Sequence, residues 1–99
     1  MQSFYPERFE REMGCTAAEW QRALPAAMGD APWRQAGGAL HADIGTGQLR
    51  ITWREGAPRA IALMRMPRTH VAFEFTGLDE RQRLAFMQRF DLYMQRGGG

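Results

Sequence analysis

Lysine is absent from the chain, cysteine occurs once, and no apolar run approaches the roughly 18 residues that a membrane-spanning helix requires. Each absence closes a class of protein. A single cysteine, Cys15, leaves no internal disulfide framework and fits a reducing compartment. The opening residues Met1-Gln2-Ser3-Phe4-Tyr5-Pro6-Glu7 show no basic region followed by an apolar stretch, so the chain is read as cytoplasmic and without a membrane partner. All 13 basic residues are arginine, in a chain also rich in alanine and glycine, which points to biased coding composition rather than to phosphate recognition. A net charge of +2 does not imply nucleic acid by itself, because phosphate binding draws on several clustered cations.

Catalytic patterns are missing too. No serine sits in a nucleophile elbow, and Cys15 has no histidine near it in sequence, although its place before a helix start is one that lowers a thiol pKa. Gly45-Thr46-Gly47 lacks the following helix of a phosphate loop and reads as a turn. The candidate metal ligands Cys15, His41, Asp43 and His70 show no ligand spacing, and no metal or cofactor is expected. Seven methionines fit core filling between aromatic rings better than soft-metal binding.

What is present is a chain of 99 residues with 44% apolar content, enough for one domain with a real core. The segment from Leu40 to Phe75 alternates with a period of two. Even-length hairpin loops at Thr46-Gly47, Gly56-Ala57 and Pro67-Arg68 divide it into four antiparallel strands. They pair Ile44 with Leu49, Ala42 with Ile51 and Leu40 with Trp53. They next set Trp53, Ile51 and Leu49 against Ala60, Ala62 and Met64, and those three against Phe75, Phe73 and Val71. Every large apolar side chain of the first, second and fourth strands then reaches one face.

Helices complete the reading. Pro6 to Met13 has a proline for its first turn and Gly14 to close it. Thr16 and Glu19 form a capping box for a second helix with Ala17, Trp20, Leu24 and Met28 on one side, ended early by Pro25. Gly29 to Gly38 reads as a loop. Asp79 caps a last helix, with Gln82 at its third position and a stripe of Phe86, Met87, Phe90, Tyr93 and Met94. The expected fold is an α+β two-layer sandwich: a four-stranded antiparallel meander with the N-terminal and C-terminal helices packed on one face. Residues 1–96 form the single domain, and 97–99 a flexible glycine tail.

A helix, an antiparallel meander and a closing helix make an order of elements similar to that of frataxin-like proteins. The acidic ridge such a resemblance would imply for iron is not reproduced, because Glu7, Glu10, Glu12 and Glu19 are interleaved with Arg8, Arg11 and Arg22. The ending Arg96-Gly97-Gly98-Gly99 is superficially similar to the tails of carriers activated at a C-terminal glycine, but the element order differs from theirs.

The uncovered face of the expected sheet carries the candidate site. Ile61 and Leu63 sit on an inner strand as a small apolar centre, and Arg50, Arg54, Arg59 and Arg65 frame them. All the sheet aromatics (Trp53, Phe73, Phe75) face the core, so base stacking has no platform and nucleic acid is disfavoured. The function expected is a non-catalytic protein-interaction module or homodimer acting through this face. The alternatives are phosphate contact by the same arginines, or a small enzyme with a pocket between helices and sheet.

Overall fold

The computed structural model describes residues 3–96, so the Gly97-Gly98-Gly99 tail lies outside the described residues. Strands β1 (Arg8–Met13), β2 (Trp33–Ala36), β3 (Ala39–Ile44), β4 (Gly47–Glu55) and β7 (Thr69–Thr76) form one antiparallel sheet in the order β1-β7-β4-β3-β2. Between β4 and β7 the chain makes a separate two-stranded sheet of β5 (Arg59–Ile61) and β6 (Met64–Met66). Helices α1 (Ala17–Met28) and α2 (Glu80–Arg96) complete an α+β architecture. Because β1 and β2 occupy opposite edges, α1 carries the chain across the sheet between them.

The expected faces hold in β3, β4 and β7. Leu40 and Ala42, then Leu49, Ile51 and Trp53, then Val71, Phe73 and Phe75 are all buried. Their partners differ from those expected. The first hairpin turns at Gly45-Thr46, so Leu40 faces Ile51 and Ala42 faces Leu49, a shift of two residues that preserves the side. The third expected strand is not in the sheet: β4 pairs directly with β7, setting Leu49, Ile51 and Trp53 against Phe75, Phe73 and Val71. Gly47 is needed at the start of β4, because a Cβ there would lie 2.4 Å from the Thr76 carbonyl oxygen.

Two elements differ in kind. Residues 8–13 form an edge strand, not a helix, so the chain lacks the helix-first order of frataxin-like proteins. Phe9, Arg11 and Met13 turn inward while Arg8, Glu10 and Glu12 turn out. An arginine at an inward position breaks the apolar alternation, and its compensation comes from a residue 80 positions away. Arg11 meets Asp91 of α2 through two parallel hydrogen bonds of 2.6 and 2.9 Å, and the Tyr5 hydroxyl donates to the same carboxylate at 2.5 Å. Trp33–Ala36 pairs with Ala39–Ala42 around a Gly37-Gly38 turn, where a loop was expected. Both capping boxes form, between Thr16 and Glu19 and between Asp79 and Gln82. Helix α1 runs through Pro25 to Met28 rather than stopping early.

Trp20, Leu24 and Met28 of α1 and Met87, Phe90 and Met94 of α2 pack onto the inner sheet face. The stripe of α2 is narrower than expected, since Phe86 is half-buried and Tyr93 exposed. Phe73 is the meeting point. Its ring stacks on Phe9 at 4.7 Å and stands edge-on to Phe90 at 5.4 Å and Trp20 at 6.5 Å. The Trp20 indole nitrogen is buried without a hydrogen-bond partner among the described residues, its ring set edge-on to those of Phe73 and Trp53.

Two measurements test this core. Trp53→Ala should cost about 3 kcal/mol or more, read as a lower denaturant midpoint, and an unchanged midpoint would place Trp53 outside the core. The Tyr5 phenol is pushed above its ordinary value of 10.0 by burial and by Asp91, against the opposing charge of Arg11. The stability it contributes is therefore complete below pH 10 and is lost as pH rises through the folded value. The melting temperature of the wild type should fall more steeply above about pH 10 than that of Tyr5→Phe.

Candidate interaction site

The segment between β4 and β7 is an arm. Its root is closed by the Gly56 amide donating to the Arg68 carbonyl at 2.9 Å, and by Arg68, whose Nε donates to the Ala57 carbonyl and whose Nη1 reaches Glu12 at 2.9 Å. Gly56 is small there for a reason: a Cβ would lie 2.5 Å from the His70 ring. Just beyond the root stand Pro58 and Pro67. Neither has an amide hydrogen to extend the ladder of β4 and β7, so pairing stops and resumes as an independent ribbon. Among the described residues the arm has no extensive contacts with any other element, and the molecule measures 47 Å along its longest axis.

Register decides what the ribbon shows. Arg59 faces Met66, Ala60 faces Arg65 and Ile61 faces Met64. Directly opposed residues share a side and neighbours alternate, so Arg59, Ile61, Met64 and Met66 lie on one face and Arg65 with Ala60 on the other. Leu63 occupies the turn and is fully exposed, while Ile61, Met64 and Met66 are 54%, 67% and 44% exposed. Ala62 holds a φ of 54°, a conformation that costs a residue with a Cβ. From Gly56 to Arg68 the charged residues are three arginines, with no carboxylate.

The expected site residues are divided between two places. Arg59, Ile61, Leu63 and Arg65 ride on the arm, whereas Arg50 and Arg54 project from β4 on the outer sheet face. The apolar centre expected on that face is replaced by small side chains. One cross-strand row reads Ala36, Ala39, Thr52, Ala72 and Glu10, and the row beside it Arg34, His41, Arg50, Glu74 and Arg8. The one acid of this second row, Glu74, stands between Arg50 and Arg8, with Arg50 donating to Glu74 at 3.1 Å.

The remaining candidates lie apart. His41 shares its row with Glu74, four residues along β7 from His70, a separation of about 13 Å along the strand. Among the described residues no three histidine, cysteine or acidic side chains are grouped to hold a metal ion. His41 lines a shallow outer-face depression of about 240 Å³ with Arg34, Asp43 and Arg50, and Glu74 at its edge is committed to Arg50. Cys15 is buried, and burial together with the Glu19 carboxylate pushes its thiol above the ordinary 9.0, opposite to the effect expected of a helix start. Among the described residues no helix is long and apolar enough to cross a membrane.

The fold thus defines a five-stranded antiparallel α+β domain with a projecting ribbon. No protein-family model, curated protein or solved structure matches the chain.

The buried thiol gives a direct test. Native Cys15 should resist iodoacetamide at pH 8 and react at the rate of a free thiol in denaturant. Rapid native alkylation would mean that the site opens.

Proposed function

We propose that the protein is a non-catalytic association module whose contact organ is the arm from Gly56 to Arg68. The carrying observation is an exposed, largely apolar ribbon face and tip (Ile61, Leu63, Met64 and Met66, with Arg59 beside them) on a hairpin that, among the described residues, is tied to the sheet at its root and has no extensive contacts beyond it. An isolated two-stranded ribbon is marginal in water. Fully covering side chains of this size contributes about 1.5 to 3 kcal/mol each, which makes docking the means of ordering it.

Composition favours a protein over the alternatives. Methionine adapts to irregular partner surfaces, and methionine and arginine are both enriched at protein interfaces. The arm has no tryptophan, tyrosine or phenylalanine of the kind that anchors a segment at a bilayer surface or stacks on bases. The mixed signs of the outer sheet face supply no positive field for a phosphate backbone.

The double substitution Ile61→Asp with Leu63→Asp separates association from folding, since neither side chain touches the core. Its thermal unfolding should match the wild type. In extracts of expressing cells, the wild type should migrate in a larger assembly and the double variant at monomer size. Loss of folding in the variant would return both residues to the core, and identical migration would remove the arm as the contact organ.

A further inference from the structure

The outer sheet face is hollow where the arm is prominent. Two shallow depressions of about 220 and 260 Å³ adjoin on it, and both are lined by Glu10 and Ala72. Thr52, Arg54 and His70 border the first, and Arg8 and Glu74 the second. The hollow exists because the row through Ala39, Thr52 and Ala72 carries small side chains between rows of long charged ones.

Charge points the same way. Glu12 is taken by Arg68 at 2.9 Å and Glu74 by Arg50 at 3.1 Å, whereas Glu10 has no ion-pair partner among the described residues. On the arm, Arg59 and Arg65 have none either, and the acid nearest Arg59 in sequence, Glu55, lies outside the arm and accepts from the Ala17 amide. The chain thus carries two uncommitted arginines beside an exposed apolar knob, and one uncommitted carboxylate beside a hollow of small residues. Their dimensions agree. From Pro58 to Leu63 the arm extends about 17 Å, and the five-strand row from Ala36 to Glu10 spans about 19 Å. Knob and hollow lie on different parts of one molecule, which a two-fold exchange between copies can satisfy twice over.

We infer that the partner of the arm is a second copy of this chain: each arm lies across the other's outer sheet face, with its apolar tip over Ala72 and Thr52 and Arg59, which shares the apolar side of the ribbon, against Glu10. This rests on the reading of the arm as the contact organ. Arginine and glutamate at the rim set register and association rate, and the covered apolar side chains hold the complex.

Sedimentation equilibrium of the purified protein tests it. The wild type should be a dimer, and Ile61→Asp with Leu63→Asp should weaken dimerisation at least about tenfold while circular dichroism stays native. Ala72→Arg, and independently Thr52→Arg, should do the same from the acceptor side without entering the core. Glu10→Arg should weaken the dimer, and adding Arg59→Glu should restore part of the loss. A dimer broken by the arm variant but untouched at Ala72, Thr52 and Glu10 would overturn the acceptor surface and leave the arm as contact organ. A wild type that stays monomeric when pure, yet assembles through its arm in extracts, would overturn self-association alone. A monomer whose arm binds vesicles of anionic phospholipid, with no protein assembly, would overturn both readings.

Discussion

The structure turns on the burial of Phe73. Its strand is the one hydrogen-bonded to β1 on one side and β4 on the other, and its ring meets Phe9 from the edge strand, Trp20 from α1 and Phe90 from α2. Four elements far apart in sequence therefore share one side chain. Aromatic pairs at 4.7 to 6.5 Å add about 0.5 to 1.5 kcal/mol each beyond the area they bury. The Arg11 guanidinium closes the cluster at its rim, 5.5 Å from the Phe73 ring centre and 5.4 Å from that of Phe9. Its charge is matched by Asp91, so β1 is joined to α2 as well as to β7.

That geometry explains how the arm can be present without weakening the domain. β4 and β7 pair continuously from Gln48 and Thr76 to Glu55 and Thr69, and the arm leaves only after the last pair. Thirteen residues in that loop cost little more than a short turn, since closure entropy grows only with the logarithm of length. The two prolines then keep the ladder from running on into it. The buried core and the exposed arm are thereby placed on separate parts of the chain.

Polar groups follow the same division. Apart from the Trp20 indole nitrogen, the buried ones are satisfied across elements: Arg83 donates to the carbonyls of Tyr5 and Leu78 at 2.8 and 2.7 Å, and the Thr69 hydroxyl to that of Cys15 at 2.8 Å. Such bonds are costly to break, because each would leave a buried donor or acceptor without water. Exposed pairs such as Arg50 with Glu74 contribute well under about 1 kcal/mol. They shape the outer face without holding it together.

Much was legible in the chain itself. Alternation in Leu40–Ile44, Leu49–Trp53 and Val71–Phe75 assigns the core side of three strands, because a period of two fixes which face a residue takes. The capping boxes at Thr16 and Asp79 were equally plain, since side chain and amide lie within one turn. Partners were not legible. Any even shift of register preserves the faces, so alternation could not tell whether β4 met β7 or the segment carrying Ile61 and Leu63. Strand β1 was masked by Arg11, whose inward position makes sense only once Asp91 is folded against it, and β2 by its exposure along an edge. The candidate residues were divided between arm and sheet for the same reason: sequence pattern acts within a few residues, while the pairing of β4 with β7 is decided by where the aromatic core closes.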